Sequence, residues 1–256
     1  MVVADLHVHT TNSDGSLTLE TLPDAADAAG VSTVAVTDHD RLHPKLSTPV
    51  STIDGVTVVH GIELRVDTGE RRVDLLGYGV RRTAALESLI ERLQTDRKQR
   101  GRAIIECVED RLGAELPVEP RAGLGRPHIA EAIAEVSAYS YAEAFEELIG
   151  GGEPCYVPRE IPTFEEGVDI LGAACGIVSL AHPYRYDDPP AALELCSELD
   201  AVERFYPYDR EIDLRPIERA IERYDLLVTG GSDAHDETLG TAGLDRSEYR
   251  TFRAAL

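Results

Sequence analysis

The sequence predicts an α/β protein, a closed or nearly closed barrel of seven strands interrupted by a helical insertion. Three observations predict it. Short apolar, strand-like runs alternate with helical stretches, the pattern of a parallel sheet with crossover helices. That rhythm breaks over residues 83–153, where helix formers and charges dominate and no strand pattern occurs. Side chains able to hold a metal fall mostly where strands end, the face on which barrels place their sites.

In chain order, the strand candidates are residues 2–8, 33–37, 56–60, 73–77, 176–181, 201–205 and 226–229. A helix is expected between the first two, with Thr18 as N-cap and Gly30 as its stop. The barrel then comprises residues 1–82 and 154–256, and the insertion residues 83–153. The insertion ends near Gly150, Gly151 and Gly152, which lack the Gly-Lys-Ser/Thr of a phosphate-binding loop and read as a flexible joint.

Composition narrows the function classes. With 256 residues and 43% hydrophobic content, the chain can bury the core of one domain carrying an insertion. No apolar run is long enough to cross a bilayer, and residues 1–5 enter a strand pattern without a basic, then greasy, leader. A cytoplasmic location is therefore expected. Cys107, Cys155, Cys175 and Cys196 form no C-x-x-C pair, so free thiols in a reducing compartment are expected. The net charge of −22, with lysine only at Lys45 and Lys98, excludes broad duplex-DNA binding, which needs a basic footprint. Such an acidic, lysine-poor surface fits a salt-rich, halophilic cytoplasm, where screening removes most of the self-repulsion.

The chemistry lies in the joint pattern. His7 and His9 alternate with Leu6 and Val8, so both imidazoles share one face of the first strand. Asp14 follows in the loop. His39 comes after the second strand, Glu63 after the third, Asp74 lies in the fourth, and His182 follows the fifth. Glu203 lies in the sixth, and Asp233 and His235 follow the seventh. A lone His-x-His is more often structural than ligating, and Asp233-Ala234-His235 after Gly-Gly-Ser could be ordinary loop chemistry. Together they are different, because five of the eight histidines fall at strand ends. His43 and His60 stand outside the pattern and are expected to be structural or surface residues. Imidazole and carboxylate donors together suit manganese, iron or zinc, whereas calcium and magnesium prefer oxygen alone.

Asp5-Leu6-His7-Val8-His9-Thr10 with Ser13-Asp14-Gly15 resembles the first motif of the polymerase and histidinol phosphatase (PHP) family. Thr37-Asp38-His39-Asp40, Gly61-Ile62-Glu63, Ala181-His182-Pro183 and Ser232-Asp233-Ala234-His235 resemble its later motifs, in the family's order. Gly125-Arg126-Pro127-His128-Ile129-Ala130 and Tyr156-Val157-Pro158 are similar to the branch with a helical insertion. That branch contains nucleoside bisphosphate phosphatases and 5′-to-3′ exonucleases of short RNA.

The resemblance implies a distorted (β/α)7 barrel holding two or three divalent metal ions. His7, His9, Glu63 and Asp233 would hold the first. Glu63 would bridge to a second, also held by His182, and Asp14, His39 and His235 would hold a third. Many relatives have histidine where this chain has Asp74, a harder donor that either ligates the second metal or pairs with an arginine. The implied reaction is phosphoester hydrolysis by a metal-held hydroxide, with Glu63, Asp233 and His182 at its centre. Arg126 and His128 from the insertion, with Arg185, are candidates to grip a phosphate. Glu203 is a candidate to orient a ligand or contact a sugar hydroxyl. Tyr78, Phe205 and Tyr206 are candidates to stack a base, although aromatics near strand ends are more often core. The expected substrate is a nucleoside 3′,5′-bisphosphate or short 5′-phosphorylated RNA. The alternatives are a histidinol-phosphate-type phosphatase and a catalytically degenerate nucleotide-binding module.

Overall fold

The computed structural model describes residues 1–256. Eight strands form one sheet: β1 (Ala4–Val8), β2 (Thr33–Val36), β3 (Val50–Ile53), β4 (Val56–Asp67), β5 (Arg72–Tyr78), β6 (Ile177–Leu180), β7 (Ala201–Phe205) and β8 (Leu227–Gly230). Their order is β1-β2-β4-β5-β6-β7-β8, with β3 paired to β4 alone. Beyond β8 the chain returns to β1 through a parallel bridge from Ala234 to Val8, where His9 N donates to Ala234 O at 3.0 Å. This pairing curls the sheet back on itself and brings the two ends of the strand order together.

Two strand expectations are corrected. The sheet is mixed, because β5 runs antiparallel to both β4 and β6. Only Thr68–Arg71 separate β4 from β5, far too few residues for the crossover that parallel neighbours need. The turn closes with Thr68 N donating to Arg71 O at 2.9 Å and Gly69 at φ 86°. The second correction is β3, an additional short strand hairpinned to β4 through Asp54 and Gly55. These adopt φ 45° and 89°, the left-handed pair favoured in two-residue hairpin turns.

The helix after β1, α1 (Leu22–Ala29), starts later than expected. Thr21 takes the N-cap position, while the Thr18 hydroxyl accepts from Thr21 N one turn earlier. Gly30 ends the helix at φ 69°, as a left-handed stop should. Leu22 and Ala26 bury against Val34, Val36 and Val58, each large apolar side chain contributing about 1.5–3 kcal/mol.

The chain divides into two units, Met1–Glu87 with Ile161–Leu256, and Ser88–Glu160. The second carries most of α2 (Ala84–Leu112), then α3 (Arg126–Val136), α4 (Tyr141–Ala144) and a π-helical turn (Phe145–Ile149). Its core joins Ile104, Val108, Ile129, Ile133 and Leu148. The expectation of four free thiols is corrected here. Cys107 and Cys155 form a disulfide, their Cα atoms 5.6 Å apart although 48 residues separate them. Cys175 and Cys196 are free, and burial pushes each thiol up to about 12. No helix is long and apolar enough to cross a membrane. In the first unit, α5 (Phe164–Ala174), α6 (Pro189–Glu194), α7 (Arg215–Tyr224) and α8 (Arg246–Ala255) complete the helices.

Candidate metal centre

The nine residues singled out as ligands gather into three interlocking groups; most lie at or just beyond strand ends, but Glu63, expected after its strand, lies inside β4, and Asp74 is near the start of β5. The first is His7, His9, Glu63 and Asp233. His7 Nε2 lies 3.4 Å from both Glu63 Oε2 and Asp233 Oδ1, and His9 Nε2 lies 3.4 and 3.0 Å from the same two oxygens. Ligands held at about 2.1 Å around one tetrahedral cation stand about 3.4 Å from one another. The four donors therefore have the spacing of a coordination shell. His7 Nε2 is buried and makes no hydrogen bond, as expected of a lone pair kept for a cation.

The second group is Glu63, Asp74 and His182, with His182 Nε2 3.1 Å from Glu63 Oε1 and 3.8 Å from Asp74 Oδ2. The third is more open. Asp14 stands 3.8 Å from His39 Nε2 and 3.6 Å from His235 Nε2, and the His9 ring closes the set. Glu63 belongs to two of the groups and also lies 2.8 Å from His39 Nδ1. The donor set is mixed imidazole and carboxylate throughout, which fits manganese, iron or zinc.

Backbone strain sits at or beside the candidate ligands. His182 and Asp233 adopt φ 28° and 53°, and Asp40, beside His39, adopts 51°. Non-glycine residues in this region cost about 1–3 kcal/mol each, and such strain concentrates where a side chain must be aimed. Gly231 is required for close approach, since a Cβ there would fall 2.3 Å from His7 N.

Electrostatics hold this dry cluster together. Burial pulls the His7 imidazole down, but Glu203, Asp233 and Glu63 outweigh it and hold it well above its usual range. His39 is likewise pulled down by burial and raised more strongly by Glu63, ending at about 9. Burial pushes the Glu63 and Asp233 carboxyls up, yet the imidazoles, His39 first for Glu63 and His7 first for Asp233, hold both far below the ordinary range. Imidazoles and carboxylates of the cluster thus favour one another's charged forms.

Other predicted residues occupy distinct surroundings. Glu203 is fully buried, with one oxygen 3.1 Å from His7 Nδ1 and the other accepting from His182 N at 2.7 Å. Arg185 and the Tyr206 hydroxyl both donate to Asp233 Oδ2, at 3.0 and 2.8 Å. Arg185 also lines two neighbouring cavities. One of about 600 Å³ includes Arg71, Arg72 and Tyr186; the other, of about 630 Å³, includes Tyr184, Tyr206, Tyr208 and Arg210. Tyr78 is wholly buried, edge-on to Phe252, so the stacking candidate becomes a core residue. Phe205 is part-buried with the Arg204 guanidinium over its ring. His43 and His60 are buried outside the ligand groups, and burial with nearby Arg82 pushes His60 down to about 4.

Within the insertion, Arg126 opens α3, donates to Ile149 O at 3.1 Å and lies over the Phe145 and Tyr156 rings. His128 Nδ1 accepts from Gly125 N at 3.1 Å, capping that helix. Sequence reasoning missed the company Arg126 keeps. Buried Arg100 is pushed down to about 10 by burial and by Arg126, Arg159 and Arg97, so four cations share one region. It also missed Arg65, which forks onto Asp74, and two buried carboxylates that tie the site's loops. Asp38 accepts from Thr10 and Ser13, and Asp5 from Ser232 and Gly240. Asp5 and Asp38 had a signal, a carboxylate beside each histidine motif; Arg65 had none.

The chain is similar to known proteins to differing degrees. Residues 5–152 match the model of the PHP domain family. The chain is 32% identical over 201 residues to the 5′-3′ exoribonuclease Rnm of Salmonella typhimurium, covering 73% of this chain and 67% of that one. It is 31% identical to a phosphoribosyl 1,2-cyclic phosphate 1,2-diphosphodiesterase of Eggerthella lenta, over 91% of this chain and 94% of that one. With the 3′,5′-nucleoside bisphosphate phosphatase of Chromobacterium violaceum it shares 26% identity, over 92% and 88% of the two chains. Among solved structures, a provisionally assigned metal-dependent phosphoesterase of Bifidobacterium adolescentis superposes with a TM-score of 0.78. That match is 24% identical and covers 99% of this chain and 96% of that one, a likeness of fold.

Proposed function

The chain belongs to the PHP domain family and is a metal-dependent phosphoesterase, and on that premise we propose that its substrates are nucleoside 3′,5′-bisphosphates or short 5′-phosphorylated RNAs. One observation carries the metal-centre reading on which this rests: His7, His9, Glu63 and Asp233 meet at 3.0–3.4 Å with His7 Nε2 buried and unbonded. We assign His7, His9, Glu63 and Asp233 to a first cation, Glu63, Asp74 and His182 to a second, and Asp14, His39 and His235 to a third. Manganese, iron or zinc fits these donors. When bound, such cations lower the pKa of water toward about 7 and neutralise charge on phosphoryl oxygens.

The chain's own residues do the rest. Glu203 is placed to orient ligands rather than touch substrate, because both its oxygens are committed to His7 and His182. Arg185 holds Asp233 with one edge and lines both flanking cavities, a position from which it can grip a phosphate as it arrives. Tyr206 and Tyr208 line the second cavity and are the candidates to contact a nucleobase there. Within the insertion, taken by itself, Arg126 and His128 are the candidates for phosphate contact, with Arg97, Arg100 and Arg159 sharing the cationic region around Arg126. We propose a cytoplasmic location, where such nucleotide and RNA substrates are turned over.

The deciding experiment is hydrolysis, with added manganese, of adenosine 3′,5′-bisphosphate, 5′-phosphorylated RNA oligomers, a ribosyl 1,2-cyclic phosphate, histidinol phosphate and an aryl phosphate. A His7→Ala control runs beside it. Release of phosphate from the bisphosphate, or of mononucleotides from RNA, supports the proposal. Turnover confined to histidinol phosphate or the cyclic ester overturns the substrate assignment.

A further inference from the structure

Among the carboxylates of the cluster, Asp233 takes a single hydrogen bond from Arg185, but Asp74 is gripped by both arms of an arginine. Asp74 lies directly across the β4–β5 ladder from Arg65. Arg65 Nε donates to Asp74 Oδ1 at 2.7 Å, and the other arm of the guanidinium donates to Oδ2. Asp74 is buried, while the Arg65 side chain is 41% exposed. The same Oδ2 is the atom that stands 3.8 Å from His182 Nε2. A carboxylate oxygen has two lone pairs, so Oδ2 can accept from Arg65 and still face a cation shared with Glu63 and His182. The backbone is fixed as well. Asp74 N donates to the Tyr186 hydroxyl at 2.8 Å, and that hydroxyl donates to Ala181 O at 3.1 Å, one residue before His182.

We propose that Arg65 is a positioning residue for the second cation, and that Arg65 and Asp74 together present the charge of a neutral imidazole. Asp74 alone would add a full negative charge beside Glu63 and tighten the site. Arg65 cancels that charge, aims Oδ2 and leaves the second cation the most readily exchanged of the set. The two residues therefore form one functional unit, since either alone leaves the site miscast by one charge. This inference rests on the metal-centre reading above, and the experiment separates their failures.

Metal-free protein is titrated with Mn²⁺, and bound metal is counted per chain for wild type, Arg65→Met, Arg65→Lys, Asp74→His and the double variant Arg65→Met/Asp74→His. Thermal unfolding is followed in parallel. Partners just outside a metal's ligands typically change affinity by about tenfold or more. Arg65→Met is expected to tighten the weakest site by about tenfold, and Asp74→His with Arg65 retained to loosen it by about tenfold. The double variant and Arg65→Lys are expected to return to within about threefold of wild type. Opposite signs for the two single variants, cancelling in the double, are a signature that a mere strand-to-strand ion pair does not produce. Loosening by both singles, no change in either, or no Mn²⁺ at a second site in wild type overturns the inference while the metal-centre reading survives. Absence of Mn²⁺ uptake at every site overturns both.

Discussion

Replacing Glu203 with glutamine changes one atom type and tests whether this residue serves the metals or the substrate. In the structure its two oxygens hold His7 Nδ1 at 3.1 Å and His182 N at 2.7 Å, with no exposed surface left over. Glutamine keeps one acceptor, which the His182 amide can use. It then turns an amide N–H toward the His7 ring nitrogen that must itself carry a proton when Nε2 ligates. The bond lost is charge-assisted and buried, worth about 1.5–3 kcal/mol. At about 1.4 kcal/mol per factor of ten, the first cation should bind about tenfold to hundredfold more weakly. Competition with a chromogenic chelator measures that affinity, and turnover is followed as metal is raised to saturation. Weak binding with turnover largely recovered at saturation is the expected result. Unchanged affinity with turnover depressed even at saturation would refute the reasoning and return Glu203 to the substrate.

Four further outcomes follow from the same geometry. The metal-free protein should lose stability as pH rises from about 6.5 through about 9, because His39 is raised above its ordinary value and its protonated form is the one Glu63 holds. Over that window metal affinity should rise, since the cation displaces the proton, and a pH-stat should record proton release on loading; flat profiles would contradict this. Gly231→Ala places a methyl group 2.3 Å from His7 N and 2.4 Å from His7 Cβ, so about 1–3 kcal/mol of stability should be lost together with first-site metal, read by thermal unfolding and metal content. Arg126→Ala should raise KM for a bisphosphate or 5′-phosphorylated RNA by about tenfold or more, with an aryl phosphate unaffected. Stripping metal with a chelator should abolish turnover on every phosphoester and lower the unfolding temperature, both restored by manganese.

What could be read from the sequence follows from what is local. The alternation in Asp5-Leu6-His7-Val8-His9 fixes which side chains share a face, and a strand end is visible as the last residue of an apolar run. The positions of the candidate metal-holding side chains along the chain were therefore legible, as was the helical character of the insertion. Strand direction was not, because an alternation of two reads the same both ways; only the brevity of Thr68–Arg71 betrays the reversal of β5. The β3 hairpin has only the Asp54-Gly55 turn as its signal in the sequence, because Val50–Ile53 is four residues long, too short for an alternation to stand out. Arg65 faces Asp74 only because the hairpin sets that register, and Cys107 meets Cys155 only because the insertion folds. Such partnerships depend on tertiary closure, and no spacing rule within a segment reports them.

The bridge from Val8 to Ala234 has a consequence for the nascent chain. His9 and Asp233, whose side chains meet at 3.0 Å, are 224 residues apart. At synthesis rates of about 5–20 residues per second, His9 waits about ten seconds or longer before Asp233 has been made. During that interval the early histidines face no completed set of carboxylates, and the hydrolase stays silent until its last strand has been delivered. Closure is thus the most non-local pairing of the sheet, and the candidate metal centre of this phosphoesterase is incomplete until it has formed.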